Sequence, residues 1–210
     1  MLRILIADDH PVFRRGLKQI ITETSDMVVT DEAVDGREAL SKAETGDYDV
    51  LLLDITMPFK NGVDVLSQLK DRRPTLPVLV LSMHPEEQYA VRALRAGASG
   101  YLTKESAPEE LVAAIRKVST GGKYVSASLA EHLASIVQRD GEALPHETLS
   151  HREYQVMCMF ASGETVSEAA RELSLSVKTI STYRARILEK LKMKNNAELI
   201  RYATKNQLVE

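Results

Sequence analysis

Two segments of this chain, VLLLD at 50–54 and VLVLS at 78–82, are apolar without interruption up to one polar last residue. A strand with one face in water alternates apolar and polar side chains, and a strand covered on both faces does not. Both runs therefore call for a sheet with helices on each side. The surrounding sequence meets that demand, because short β-branched runs alternate with helical patterns over the first ~120 residues. Strands are expected at Arg3–Ala7, Met27–Ala33, Val50–Leu53, Val78–Leu81 and, in a short form, around Gly100–Leu102. The last helical stretch, Pro108–Ser119, sets Leu111, Val112, Ile115 and Val118 on one face and stops at Gly121-Gly122. Its proline suits a first helical turn. Five βα units over residues 1–122 predict an α/β doubly wound, five-stranded parallel sheet.

The texture changes near Ser126. Residues 126–139 predict a helix with Leu129, Leu133, Ile136 and Val137 inward, and RDGEALPHET at 139–148 reads as a connector rich in turn residues. Residues 123–146 are thus a linker carrying one helix. From Ser150 every segment has helical period, so residues 147–210 form a second, all-α domain. Ser150 and Glu153 make a capping box, and Val156, Met157, Met159 and Phe160 give the first helix its apolar face up to Gly163. A short second helix, Val166–Leu173, keeps Ala169, Ala170 and Leu173 at core spacing. Ser176 caps a third, running to Leu191 with Ile180, Ile187, Leu188 and Leu191 inward, and a fourth spans Ala197–Gln207. The four-residue turn SLSV between the second and third is the spacing of a helix-turn-helix.

The 210 residues suffice for two domains, and 44% hydrophobic with 27% charged residues lets each bury a core. One cysteine, Cys158, excludes an internal disulfide framework and fits a reducing compartment. The opening MLRILIADDH is not read as a signal peptide, since two acids follow its short apolar run. No apolar run approaches the ~18 residues of a membrane span, so a soluble, cytoplasmic protein with no membrane partner is expected. The formal net charge of −3 hides an asymmetry. Residues 1–145 hold 17 Lys and Arg against 22 Asp and Glu, whereas residues 146–210 hold 10 against 8. Eight of those ten lie within 177–205, which is either a solvated helix face or a surface for a polyanion.

In a doubly wound sheet, chemistry gathers where the C-terminal ends of strands open into loops. The polar residues there are Asp8 and Asp9, Asp54, Ser82 and Lys104. Clustered carboxylates repel one another unless a cation joins them. Hard oxygen ligands suit Mg2+ better than Zn2+, and no Cys/His cluster points to zinc.

The segments ADDH at 7–10, LLLDITMPFKNG at 51–62, VLS at 80–82 and GYLTK at 100–104 resemble the receiver domains of two-component response regulators, whose fold is flavodoxin-like. That resemblance implies that Asp54 accepts a phosphoryl group from a sensor histidine kinase. It implies Mg2+ held by Asp8, Asp9, Asp54 and the backbone carbonyl of Thr56. Lys104 would pair with one phosphoryl oxygen and Ser82 would hydrogen-bond another. Tyr101 would be the aromatic switch, its alternative being a packed strand residue with an exposed hydroxyl. Thr56, Met57 and His84 would tune the acyl-phosphate lifetime, with His84 otherwise a solvated loop residue. Pro58 and Gly62 shape the loop after Asp54.

On the third helix of the second domain the outward positions are Lys178, Thr179, Ser181, Thr182, Arg184, Ala185 and Arg186. Short hydroxyls and arginines can approach phosphates and base edges in a major groove. Residues 147–209 resemble the DNA-binding domain of the LuxR/NarL type, which places the chain with the NarL/FixJ response regulators. The KTISTYR stretch is nearest the GacA/UvrY branch of that family. By this resemblance the helix 177–191 is the recognition helix on double-stranded DNA, contacted through Lys178, Thr179, Ser181, Thr182 and Arg184. Members bind DNA as dimers, so a homodimer is expected, and RNA polymerase is a further candidate partner. Leu199, Ile200, Tyr202, Ala203 and Leu208 offer apolar surface for the dimer.

The function expected is a phosphorylation-controlled, DNA-binding transcription regulator and not an enzyme. A Mg2+-dependent phosphohydrolase of the haloacid-dehalogenase kind would carry a second acid two residues after Asp54, where Thr56 stands. The other alternative is an atypical receiver that regulates DNA binding without phosphate, and its mark would be loss of Asp8, Asp9, Asp54 or Lys104. All four are present.

Overall fold

The computed structural model describes residues 1–83, 86–138, 144–173, 175–206 and 208–209, and at 87, 88, 137, 138 and 151 the backbone alone. His84, the 139–143 part of the connector, Ser174 of the SLSV turn, Gln207 and the Val137 side chain lie outside the described residues. The chain divides into two compact units, Met1–Gln138 and Arg139–Glu210.

In the first unit the elements follow the expected alternation: β1 (Leu2–Ala7), α1 (Pro11–Thr22), β2 (Met27–Ala33), α2 (Gly36–Thr45), β3 (Val50–Asp54), α3 (Gly62–Arg72), β4 (Val78–Ser82), α4 (Glu86–Arg95), β5 (Gly100–Thr103) and α5 (Pro108–Ser119). The strands are all parallel in the order β2-β1-β3-β4-β5. Every residue of β3 and β4 is buried, as their unbroken apolar runs require. Alternate strand residues point to opposite faces. Ile4, Ile6, Val50, Leu52, Leu79 and Leu81 pack with Leu17 and Ile21 of α1 and Leu111, Ile115 and Val118 of α5. On the other face α2 packs against α3. The sheet and its two helical layers are the α/β doubly wound class expected.

After α5 the chain returns along the sheet edge, where Tyr124 bridges Gly100 and its N–H donates to the Ser99 carbonyl. The helix expected in the linker is α6 (Ala127–Gln138), and it packs on α4 in the first unit. Ser126 caps it, accepting from the Leu129 N–H at 3.0 Å, and Ser126 also donates to Glu86 of α4.

The second unit opens with a 3-10 turn at Pro145–Thr148, followed by α7 (His151–Ala161), α8 (Val166–Glu172), α9 (Val177–Lys190) and α10 (Asn196–Lys205). Capping boxes start α7 (Ser150 with Glu153) and α8 (Thr165 with Glu168). Asn195, which the sequence reading passed over, caps α10. Glu153 is buried, and its carboxylate receives the Ser150 N–H at 2.7 Å and the Lys190 ammonium at 2.6 Å, which ties α7 to α9. Burial alone would raise its pKa, but those partners outweigh it and hold the carboxyl below its usual value. The apolar surplus expected on the last helix is mostly absorbed by the core. Leu199, Ala203 and Leu208 are buried, and the Tyr202 hydroxyl lies 2.9 Å from His146 Nδ1. Ile200 alone of the five is exposed, at 39%. Among the described residues no helix is long and apolar enough to cross a membrane.

Two glycines let the loop after β3 fold back on the sheet. A Cβ on Gly62 would sit 2.1 Å from the Asp54 carbonyl oxygen, and one on Gly36 would sit 2.0 Å from that of Lys60. Both obstacles are backbone and cannot swing away. Gly62→Ala is therefore expected to lower stability by about 1–3 kcal/mol, the range for overpacking, in denaturant unfolding followed by circular dichroism.

Candidate functional site

Sheet order decides which strand ends meet. The strand order reverses between β1 and β3, the switch point where such sheets open a crevice at their carboxyl ends. Asp8 and Asp9 follow β1, Asp54 ends β3, Ser82 ends β4 and Lys104 follows β5. The Lys104 ammonium lies 2.7 Å from Asp54 Oδ2, to which it donates, and 2.6 Å from Asp8 Oδ2. The second contact is an ion pair without hydrogen-bond geometry, since Asp8 Oδ2 has no hydrogen-bond partner. All three side chains are at most 3% exposed. Asp54 Oδ1 accepts the Thr56 N–H at 3.0 Å, and Asp8 Oδ1 accepts the His10 N–H at 2.8 Å.

Burial pushes the Asp54 carboxyl up to about 6, against the pull of Lys104 and with the added repulsion of Asp8. A carboxyl whose folded pKa lies above its unfolded value of 3.8 loses stability as pH rises through the interval between them. Three carboxylates, Asp8, Asp9 and Asp54, share this crevice with the one ammonium of Lys104. Asp8 Oδ2 and Asp9 Oδ1 are buried and accept no hydrogen bond, and Asp8, Asp9, His10 and Asp54 each bring a ligand atom within 4.8 Å of the others. Buried oxygens converging in this way fit a hard divalent cation such as Mg2+.

His10 was not singled out from the sequence, where it reads only as the residue after two acids. Its Nδ1 lies 3.0 Å from Asp9 Oδ1, 3.3 Å from Asp8 Oδ1 and 3.9 Å from Asp54 Oδ2. Phe13 was also missed. Its ring faces the Lys104 ammonium, with 4.7 Å between nitrogen and centroid, and borders an apolar cavity of about 450 Å³ between α1 and α5. Phe59, in the loop after Asp54, has φ 62°, a backbone region that bulky residues rarely adopt, and the Arg37 guanidinium stacks 5.1 Å from its ring. Nothing local in the sequence signals that conformation.

Ser82 is fully buried beside Asp54, one register position along from the Asp54–Leu81 pair. Thr56 is exposed and Met57 is buried. Tyr101 is buried whole, so an exposed hydroxyl does not describe it.

In the second unit, α9 shows an exposed stripe at Lys178, Ser181, Thr182, Ala185, Arg186 and Glu189. Thr179 is half-buried, with its hydroxyl 2.8 Å from that of the cap residue Ser176. Arg184 is turned aside, half-buried, its Nε donating to Asn196 Oδ1 at 2.7 Å. On this stripe the basic groups are therefore Lys178 and Arg186.

This architecture has relatives. The response regulator receiver domain family matches residues 4–116, and the bacterial regulatory proteins of the luxR family match residues 147–203. The chain belongs to the two-component response regulators of the NarL/FixJ family, with a receiver domain followed by a LuxR-type helix-turn-helix domain. It is 33% identical to response regulator UvrY of Escherichia coli strain K12 over 209 residues, which are 99% of this chain and 96% of UvrY. With response regulator GacA of Pseudomonas aeruginosa it shares 34% identity over 211 residues, covering 100% and 99%. RcsB of Salmonella enterica serovar Typhimurium, solved bound to promoter rprA in the presence of the phosphomimetic BeF3−, superposes with a TM-score of 0.65 at 26% identity. That match covers 97% of this chain and 98% of RcsB.

Lys104 is what lowers the Asp54 carboxyl toward ionisation in this pocket. Lys104→Met is expected to raise the Asp54 pKa further above 6, read from the carboxyl ¹³C shift during a pH titration in chelator.

Proposed function

We propose that this response regulator accepts a phosphoryl group on Asp54 from a sensor histidine kinase and binds promoter DNA through α9 under control of that phosphate. The observation that carries the reading is the buried triad of Asp54, Asp8 and Lys104 at the crevice of the receiver sheet. In the transfer, one Asp54 oxygen forms the new P–O bond while the P–N bond to the donor histidine breaks. Lys104 pairs with a phosphoryl oxygen, offsetting charge where it accumulates. The Ser82 hydroxyl donates to another, and the buried ring of Tyr101 repacks in response. Asp8, Asp9, Asp54 and the Thr56 backbone carbonyl would hold Mg2+, which when bound neutralises the crowded negative charge. His10 is placed to steady the same carboxylates.

On DNA, the exposed stripe of α9 faces the major groove. Lys178, Ser181 and Thr182 lie on it, and Thr179 stands at its capped end. Arg184 acts through Asn196 by fixing α9 against the start of α10, and Arg186 takes the phosphate contact. Arg186 joins the contact set because it is exposed on that stripe. The homodimer and RNA polymerase as a downstream partner belong to the same reading and rest on the family, while a cytoplasmic location and a domain boundary near residue 147 belong to it on the pattern of the sequence.

Asp54→Asn is expected to abolish phosphoryl uptake from acetyl phosphate and Mg2+, while the Tm stays near that of the wild type. Its DNA affinity then no longer responds to the donor, and chelation of Mg2+ stops uptake in the wild type. Phosphate on the variant, seen by intact mass, would remove the assignment.

Arg186→Ala is expected to lower the slope of log affinity against log salt by about 1 on duplex DNA, the signature of one phosphate contact. Arg184→Ala is expected to leave that slope unchanged and to weaken binding through loss of the Asn196 bond. Salt titrations of fluorescence anisotropy separate the two.

A further inference from the structure

The stripe on α9 differs in chemistry between its middle and its edges, and the difference bears on which DNA it recognises. This inference rests on the reading of α9 as the DNA-facing helix. At 100° per residue, Lys178, Thr182, Ala185 and Glu189 run along the centre, with Ser181 and Arg186 on opposite borders. Reading guanine takes a long bidentate donor such as Arg or Lys, and reading adenine takes Asn or Gln. Between Lys178 and Glu189 the centre line carries none of these.

The hydroxyls there are also engaged. Ser181 donates to the Val177 carbonyl oxygen at 2.9 Å and Thr182 to that of Lys178 at 3.0 Å. Neither hydrogen is then available to a base acceptor. For apolar contact Thr182 and Ala185 each present a methyl group, and Val177, 52% exposed, adds apolar surface at the N-terminal end. Arg184, whose long side chain could have reached a base, is drawn off toward Asn196.

A major groove offers one apolar feature that identifies a base, the 5-methyl group of thymine. We propose that Thr182 and Ala185 read thymine 5-methyl groups, so each half-site carries A·T pairs at two fixed positions beneath them. Lys178, at the N-terminal end of that line, and Arg186, on its border, anchor the helix. Glu189, on the same line, sets a carboxylate toward the groove, and a carboxylate accepts from cytosine N4 and repels phosphate. It therefore favours a base edge over the backbone at that end.

The test uses the full chain, treated with acetyl phosphate and Mg2+, to select duplexes from a random library. The best duplex is then remade with deoxyuridine in place of thymidine, one position at a time, which deletes only the methyl. At two positions per half-site uracil is expected to weaken binding about 3–5-fold, the effect of one buried methyl. Thr182→Ser removes the protein methyl and keeps the hydroxyl, and Ala185→Gly removes the other. With Thr182→Ser the uracil penalty at one position should vanish, and with Ala185→Gly the penalty at the other. Circular dichroism checks that each variant keeps its helices.

Specific binding that is indifferent to uracil everywhere would overturn the inference. So would uracil penalties that persist undiminished in both variants, since the methyl partners would lie elsewhere. Failure to select any duplex would strike the DNA-binding reading first and this inference with it, and that outcome is distinct from the other two.

Discussion

The receiver unit is organised around an unfavourable charge arrangement that only its tertiary structure makes tolerable. Asp8 and Asp54 are buried side by side, and the Lys104 ammonium touches both. Two carboxylates in a low-dielectric crevice would otherwise take up a proton, which is the direction in which burial moves Asp54. Lys104 comes from the far edge strand, 50 residues after Asp54, so the pair exists only if β3, β4 and β5 are in register. The glycine at 62 and the cap at Asn61 follow from the same demand, because the loop after Asp54 has to pass close over the strand end. Three carboxylates, Asp8, Asp9 and Asp54, share the crevice with one ammonium, and their converging oxygens suit a hard divalent cation.

The second unit meets a different constraint. Its helices are short, and short helices in water are marginal without caps and packing. Ser150, Thr165, Ser176 and Asn195 each supply a side-chain cap, and Glu153 adds a buried carboxylate held by Lys190. The Arg184–Asn196 bond does the same between α9 and α10. These ties leave the outer face of α9 free of structural duty along one line.

The fold class was legible because it rests on local pattern. The runs at 50–54 and 78–82 are buried along their whole length, as unbroken apolarity requires, and the strand-end residues Asp8, Asp54, Ser82 and Lys104 stood out because each interrupts an apolar segment with a polar group. Capping at Ser150 and Ser176 was legible for the same reason, since a cap involves residues only a few positions apart. Asn195 escaped because the run of Lys194, Asn195 and Asn196 offers more than one polar residue for the helix start.

Other features were out of reach of any local rule. The approach of His10 to Asp54 and the Phe13 ring on Lys104 depend on segments distant in sequence, and nothing local signals the positive φ of Phe59. The apolar residues of α10 looked available for a partner, yet Leu199, Ala203 and Leu208 are enclosed by neighbouring helices. Arg184 lies four residues after buried Ile180 and three before buried Ile187, so helical period already turns it toward the core side and Arg186 away from it. The sequence by itself determined the doubly wound sheet, the helix-turn-helix and the identity of the charged residues at the crevice, because periodic burial and end-capping are properties of short segments. Only the tertiary structure decided which charges touch and what holds Arg184 aside. Those outcomes depend on the partner that another element brings within 3 Å, as Asn196 does for Arg184 and Lys104 does for Asp54.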